Sequence, residues 1–121
     1  MIIAVDFDGV LVRDAFPDIG APDALMVDLV KLLIQKTGVE VVLWTSRVDR
    51  PLKDALEWCE DQGLRFDAVN DNAPSNKRKY AKKYPNGTRK VYADYYLDDH
   101  NIGYNRLVAI EVIKSILERK M

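Results

Sequence analysis

Two short runs of apolar residues predict strands that are buried on both faces. Ile2 to Val5 is a continuous apolar run, and Val39 to Trp44 is a second run, rich in β-branched residues and interrupted only by Glu40. Strands of this kind are typical of a parallel sheet that is covered on both sides. Shorter strands are predicted at Phe66 to Val69 and at Lys90 to Leu97.

Three longer stretches carry apolar residues at helical spacing. They are Asp23 to Lys36, Pro51 to Gly63 and Tyr104 to Lys120, and each is predicted to be a helix. Residues 13–22 contain two prolines and a glycine and are predicted to be a loop. The predicted apolar stripes are Leu25, Leu29, Leu32 and Leu33 in the first helix and Leu107, Ile110, Ile113 and Leu117 in the last. Strands that alternate with helices favour an α/β three-layer domain with a mainly parallel, Rossmann-like sheet.

Composition narrows the class of protein without changing this fold. A chain of 121 residues is long enough for one domain, which we expect to span residues 1–121. The net charge of −1 argues against a generally basic nucleic-acid binder, and the single cysteine, Cys59, is expected to be a buried core thiol. No apolar run approaches the ~20 residues of a membrane span. We therefore expect no membrane partner and a cytoplasmic location.

One local cluster of positive charge lies between Ser75 and Tyr84. It contains Lys77, Arg78, Lys79, Lys82 and Lys83. Such a cluster is most often a solvated face. The alternative is a basic rim that attracts an anionic substrate.

Polar side chains follow several of the predicted strands. Asp6 and Asp8 come after the first strand, Thr45 after the second, and Asp98 and Asp99 after a later one. The carboxyl ends of parallel strands meet at one edge of a sheet, where ligands bind. Carboxylates that meet there repel each other, and a hard divalent cation resolves the conflict. One histidine and one cysteine cannot supply the ligands of a zinc site. Calcium would usually need more protein oxygens, so the expected ion is Mg²⁺.

Phosphoryl transfer is the chemistry that suits this set of groups. A carboxylate can act as the nucleophile, and a second carboxyl can protonate the leaving oxygen and later deprotonate water. Cations, hydroxyl groups and backbone N–H groups can stabilise charge on the phosphoryl oxygens.

The motifs resemble those of the haloacid dehalogenase-like hydrolase superfamily. The segment Asp6-Phe7-Asp8-Gly9-Val10 is similar to its first motif. Thr45, which follows an apolar strand, is similar to the second motif, and the pair Asp98-Asp99 is similar to the fourth. The third motif is a lysine, for which we prefer Lys90 to Lys77. The stretch from Lys90 to Asp99 also resembles the corresponding part of the 5'-deoxyribonucleotidases.

The resemblance implies a role for each matched residue. Asp6 would be the nucleophile and a metal ligand, and Asp8 the general acid and base, with its backbone carbonyl also touching the metal. Asp98 would bind the metal and Asp99 would support it. The phosphoryl group and the rest of the substrate would be held by Thr45, Ser46, Arg47 and Lys90.

Three polar residues keep open alternatives at this point. Arg47 could grip the leaving group or a second phosphate, or form a surface ion pair. Asp94 could be a buried hydrogen-bonded acid, which we prefer, or a partner of a metal ligand. His100 is expected to be an exposed loop histidine rather than a catalytic one.

The spacing of the motifs leaves no room for a cap domain. Only 38 residues separate Asp6 from Thr45, and one helix fills most of them. The chain therefore resembles the capless members of the superfamily, whose open sites accept bulky substrates or take a lid from a neighbouring subunit of a homo-oligomer.

The expected function is a magnesium-dependent phosphatase that works through an aspartyl-phosphate intermediate. The expected substrate is a small phosphorylated molecule, such as a nucleotide, or the phosphorylated end of a nucleic acid. The alternatives are a sugar-phosphate phosphatase and a non-catalytic domain that binds a metal or a partner.

Overall fold

The sheet at the centre of the molecule consists of four parallel strands in the order β5-β4-β1-β6. This computed structural model describes residues 1–120. The strands are β1 (Ile2–Val5), β4 (Glu40–Leu43), β5 (Ala68–Val69) and β6 (Tyr95–Leu97). In register, Val5 lies beside Leu43 of β4 on one side and beside Leu97 of β6 on the other. The predicted apolar strands are confirmed, and the four carboxyl ends point to one edge.

The helices are α1 (Ala24–Gln35), α2 (Asp49–Asp61), α3 (Pro74–Tyr80) and α4 (Arg106–Glu118). Three of them form where the apolar spacing predicts helices. Helix α3 was not predicted, because none of its residues is buried and it carries no apolar stripe. Asp23 begins α1 by accepting a hydrogen bond from the Met26 backbone N–H, and Asn105 begins α4 in the same way through the N–H groups of Leu107 and Val108.

The larger core lies on one face of the sheet. Ile3 and Val5 of β1 pack there with α1, α2 and α4. The core on the opposite face is smaller. Ala73, which directly precedes α3, covers that face together with Val91 and Ala93. The result is the expected α/β three-layer domain with a Rossmann-like parallel sheet and no cap.

Cys59 of α2 is buried in the larger core, as expected. Burial raises the pKa of its thiol to about 12, so the thiol is neutral at physiological pH. In residues 1–120, no helix is long and apolar enough to cross a membrane.

Four details of the sequence prediction are wrong. Residues 13–22 are not a loop, because β2 (Val12–Ala15) and β3 (Asp18–Pro22) form an antiparallel hairpin there. The hairpin is largely exposed, so no alternation of apolar and polar residues marked its strands. The stretch 90–97 is a strand only from Tyr95.

The other two errors concern the helix stripes. Leu107 is exposed, and the buried stripe of α4 consists of Ile110, Ile113 and Ile116. Leu25 and Leu32 of α1 are likewise exposed, although they share its helical spacing. Periodicity does not fix the edges of an apolar stripe. Helices α1 and α4 pack against each other, and this contact decides which apolar residues are buried.

Candidate active site

A cleft lies at the edge of the sheet where the parallel strands end. Asp6 directly follows β1, Asp98 directly follows β6, and Thr45 lies two residues beyond β4. The cleft has a volume of about 510 Å³. Its lining consists of Asp6, Asp8, Asp14, Phe16, Trp44, Thr45, Ser46, Arg47, Asp98 and His100. Most of the residues predicted from the motifs therefore meet here.

Three carboxylates converge at the base of the cleft. Asp6, Asp98 and Asp99 each offer one oxygen, and these oxygens lie within 4.8 Å of one another. The pKa of Asp6 is raised to about 7, mainly because burial disfavours its charged form. A hydrogen bond from the Phe7 N–H opposes this change, and the neighbouring charges of Asp98, Asp99 and Asp8 reinforce it.

Asp99 is held in an unusual environment. In the part of the chain that the structure describes, its Oδ1 is buried without a hydrogen-bond partner. Its Oδ2 lies 2.0 Å from the position that a Cβ on Gly9 would occupy, and Gly9 has a φ of +83°. Any larger residue at position 9 would be strained and would also displace this carboxylate. The glycine of the first motif is therefore required by the position of Asp99.

The chemistry of these oxygens fits a hard divalent cation. An unpaired buried carboxylate oxygen is costly, and repulsion within the cluster adds to the cost. Mg²⁺ prefers a small number of carboxylate oxygens and keeps several waters, whereas Ca²⁺ usually needs more protein oxygens. Asp6, Asp98 and Asp99 are the residues that would hold such an ion.

Asp8 does not contribute its carboxylate to this cluster. Both of its oxygens accept hydrogen bonds from Arg47, one from Nε and one from Nη2, each at 2.7 Å. The Arg47 side chain is 1% exposed. Its guanidinium carbon lies 5.0 Å from the ring centroid of Phe7 and 5.2 Å from that of Phe16. The contact with Asp8 is the main reason that the pKa of Arg47 is raised above its usual value.

Arg47 also binds the backbone on three sides. It donates to the carbonyl oxygens of Pro17 and Asp18 in the hairpin and to that of Pro51 in α2. Together with Asp8, these acceptors use all five guanidinium N–H donors. Neither alternative for Arg47 is therefore correct. It is not a surface ion pair, and it has no free donor for a substrate phosphate.

Thr45 is positioned by a residue that the motif analysis missed. Its backbone N–H donates to Oδ1 of Asn70, at 2.8 Å, and its Oγ1 accepts from the Arg47 N–H. Asn70 directly follows β5 and has a φ of +49°, a conformation that asparagine tolerates better than most residues. Its place after a short strand was the only sequence signal. Ser46 is exposed and lines the cleft.

Neither lysine proposed for the third motif lines the cleft. Lys90 is exposed, and its Nζ lies 5.1 Å from the ring centroid of Tyr96. Lys77 forms an ion pair with Asp71. Within residues 1–120, Lys90 has no carboxylate at ion-pair distance, so its ammonium group is the more available of the two.

Asp94 and His100 differ in their relation to the cleft. Asp94 accepts hydrogen bonds from the Ile2 N–H and the Tyr92 hydroxyl at the opposite end of the sheet. These bonds, chiefly the one from Ile2, lower its pKa. The hydrogen bonds expected for Asp94 are confirmed. Its predicted burial is wrong, because Asp94 is exposed. The alternative role beside a metal ligand is not supported, because Asp94 lies at the end of the sheet opposite Asp6 and Asp98. His100 is exposed as expected, and its Nε2 lies 3.7 Å from Oδ2 of Asp99.

The hairpin of β2 and β3 forms one wall of the cleft. Asp14 of β2 and Phe16 of its turn are lining residues. This wall is far smaller than a cap domain. It is nevertheless part of the chain itself, and Arg47 joins it to Asp8.

Comparison with known proteins gives one informative match. No protein-family model and no curated protein matches the chain. A solved structure of a conserved protein from Bacteroides thetaiotaomicron is similar, with a TM-score of 0.77 and 35% sequence identity over 96% of this chain and 91% of that chain. At this identity and coverage, the chain belongs to the same family as the conserved Bacteroides protein.

Proposed function

We propose that the protein is a magnesium-dependent phosphatase that uses Asp6 as its nucleophile. The observation that carries this proposal is the meeting of Asp6, Asp98 and Asp99, with the buried Oδ1 of Asp99 left without a protein partner. The motif resemblance to the haloacid dehalogenase-like hydrolases assigns the same residues to a metal and a nucleophile. The motif resemblance and the geometry of the carboxylates therefore support the same site.

The cation would neutralise charge on the carboxylates and on a bound phosphoryl group. With that charge compensated, Asp6 is ionised and can attack phosphorus. A bond forms between an Asp6 oxygen and phosphorus as the ester bond to the leaving oxygen breaks. The leaving oxygen takes a proton from the Asp8 carboxyl. In the second step Asp8 accepts a proton from water, the water oxygen attacks phosphorus, and phosphate and free Asp6 are released.

Arg47 gives this scheme a specific requirement. Each oxygen of the Asp8 carboxylate accepts one guanidinium hydrogen bond, so the proton that Asp8 donates would have to occupy a remaining lone pair of one of these oxygens. Arg47 is therefore proposed to position Asp8 rather than to bind substrate. Thr45 and Ser46 supply hydroxyl groups for the phosphoryl oxygens.

Lys90 remains the proposed lysine for the phosphoryl group. Its support is the motif resemblance and the lack of a carboxylate partner for its ammonium group within residues 1–120. A lysine that stabilises a transferring phosphoryl group contributes on the order of 3 kcal/mol. Lys90→Ala should then reduce kcat/KM by roughly 100-fold. Lys77→Ala is the matched control, and a larger loss in that variant would move the third motif to Lys77.

The direct test is hydrolysis of p-nitrophenyl phosphate by the full chain with and without Mg²⁺. Activity should need Mg²⁺ and should disappear in Asp6→Asn and fall strongly in Asp98→Asn. Asp61→Asn, at the exposed end of α2, is the control for the same chemical change outside the cleft.

Two results would contradict the proposal. Full activity after removal of metal with EDTA would exclude the metal-dependent scheme. Binding of Mg²⁺ to a well-folded protein that shows no turnover on a broad panel of phosphate esters would indicate the non-catalytic alternative.

A further inference from the structure

A second surface feature is the concentration of positive charge that follows β5. Between residues 72 and 93 the sequence contains seven lysines and arginines and no aspartate or glutamate, although the net charge of the chain is −1. These cations are Lys77, Arg78, Lys79, Lys82, Lys83, Arg89 and Lys90. The segment therefore presents a positive potential that the rest of the protein does not share.

Tyrosine rings are interleaved with these cations around a cavity. We call it the tyrosine–lysine pocket, and define it by Asn72, Lys77, Tyr80, Lys83, Tyr84 and Tyr92. Its volume is about 740 Å³. The rings of Tyr80 and Tyr84 lie 6.0 Å apart between centroids, and Lys83 Nζ lies 5.6 Å from the Tyr84 ring centroid. All three tyrosine side chains are exposed, so part of each is accessible to a ligand.

The base of the pocket is polar and hydrogen-bonded. Asn72 is 4% exposed; its Oδ1 accepts from the Tyr92 N–H, and its Nδ2 donates to Thr88 Oγ1. Thr88 in turn donates to the Lys90 carbonyl oxygen. These bonds tie the two ends of the basic segment together and account for one of the two N–H groups of the Asn72 amide.

The pocket is linked to the cleft through consecutive residues that follow β5. Asn70 contacts the backbone of Thr45, and the next two residues, Asp71 and Asn72, line the pocket. A ligand that spans both features would follow the carboxyl edge of the sheet from Thr45 across Asn70.

We propose that the tyrosine–lysine pocket binds single-stranded nucleic acid and presents its terminal phosphate to Asp6. Stacking on tyrosine rings and contacts of lysines with the phosphate backbone are the interactions by which proteins hold unpaired strands. Two of the seven cations, Lys77 and Lys83, line the pocket beside the three tyrosines, and Lys77 is paired with Asp71. The other five cations lie in the same segment, so only a ligand longer than one mononucleotide would reach them. The presentation of the end phosphate rests on the proposed function, whereas strand binding by the pocket does not.

The test measures binding separately from turnover. A fluorescein-labelled oligothymidylate of about ten nucleotides, within the usual span of such sites, is titrated with Asp6→Asn protein and followed by fluorescence anisotropy. Because stacking is worth about 1–3 kcal/mol per base, Tyr84→Ala should weaken binding by roughly 5- to 150-fold. Tyr84→Phe should retain most of the affinity. Tyr95→Ala, at an exposed tyrosine on β6, is the matched control and should bind like the parent.

Salt dependence tests the electrostatic part of the same contact. The logarithm of affinity should fall linearly with the logarithm of salt concentration, by about 0.7 for each phosphate contact. Lys83→Ala should reduce this slope, and Lys114→Ala, on the exposed side of α4, should not.

Three outcomes would overturn the inference. The first is that Tyr84→Ala leaves the affinity for the oligonucleotide unchanged. The second is that double-stranded DNA of the same length binds as tightly as the oligonucleotide, and the third is that thymidine monophosphate does so. Hydrolysis of p-nitrophenyl phosphate by the wild-type protein is measured in parallel. Strand binding without turnover contradicts the proposed function alone, and turnover without strand binding contradicts this inference alone.

Discussion

Asp6→Asn should stabilise the metal-free protein while it abolishes activity. The Asp6 carboxylate is partly buried beside Asp98 and Asp99, and its pKa is raised to about 7 from 3.8. Asparagine has nearly the same shape and can still accept the hydrogen bond from the Phe7 N–H. Its amide can also donate to the neighbouring carboxylates, so the substitution removes a charge without removing a contact.

The size of the effect follows from the pKa of Asp6. Raising that pKa from 3.8 to about 7 corresponds to about 4 kcal/mol of lost stability above pH 7, at 1.36 kcal/mol per pKa unit. The carboxylate retains some exposure to water, whose screening lowers the expected effect to roughly 2 kcal/mol. For a chain of this length, roughly 2 kcal/mol raises Tm by about 8 °C.

The dependence on pH has a definite sign. A carboxyl whose folded-state pKa is raised leaves stability intact below its unfolded pKa and lowers it as pH rises toward the folded value. The gain from Asp6→Asn should therefore be small near pH 4, grow between pH 4 and about 7, and stay constant above that range. Thermal unfolding in EDTA at several pH values measures it, with Asp61→Asn as the control.

With Mg²⁺ present, the wild-type protein should become more stable than Asp6→Asn. An ion that binds only the folded state stabilises it by about 2.7 kcal/mol at a concentration of 100 times its Kd. The wild-type Tm should rise with Mg²⁺, and that of Asp6→Asn should rise much less. A loss of stability on substitution in EDTA at pH 8, or a gain that does not vary with pH, would refute the reasoning from desolvation and charge.

Two further substitutions test the structure of the cleft. Gly9→Ala should lose the Mg²⁺-induced rise in Tm, because a Cβ there would displace Asp99; Gly103→Ala, which has a similar φ of +79° but open space around it, should keep that rise. An equal Mg²⁺ response in both would contradict the close approach of Asp99. Arg47→Met should cost about 3–5 kcal/mol in urea unfolding, because it leaves the Asp8 carboxylate without a partner. Arg47→Lys should recover only part of this loss, since lysine cannot replace the planar fork, and full recovery would show that charge alone matters.

Local patterns were sufficient for the parallel sheet and the positions of the motifs. The run Ile2 to Val5 is apolar at every position, as a doubly covered strand requires. Carboxylates at its end could be expected to meet those after β6, because parallel strands end at one edge. The sequence was therefore enough to bring Asp6, Asp98 and Asp99 to one site.

The role of Arg47 was decided only by the tertiary structure. Its five acceptors come from Asp8, from the hairpin and from the start of α2, and no local pattern relates these segments. The hairpin itself lacks a buried face, so its strands left no periodic signal. The support of Thr45 by Asn70 likewise depends on the pairing of β4 with β5. Apolar periodicity reports which residues avoid water, whereas hydrogen bonds between distant polar groups appear only once the chain has folded.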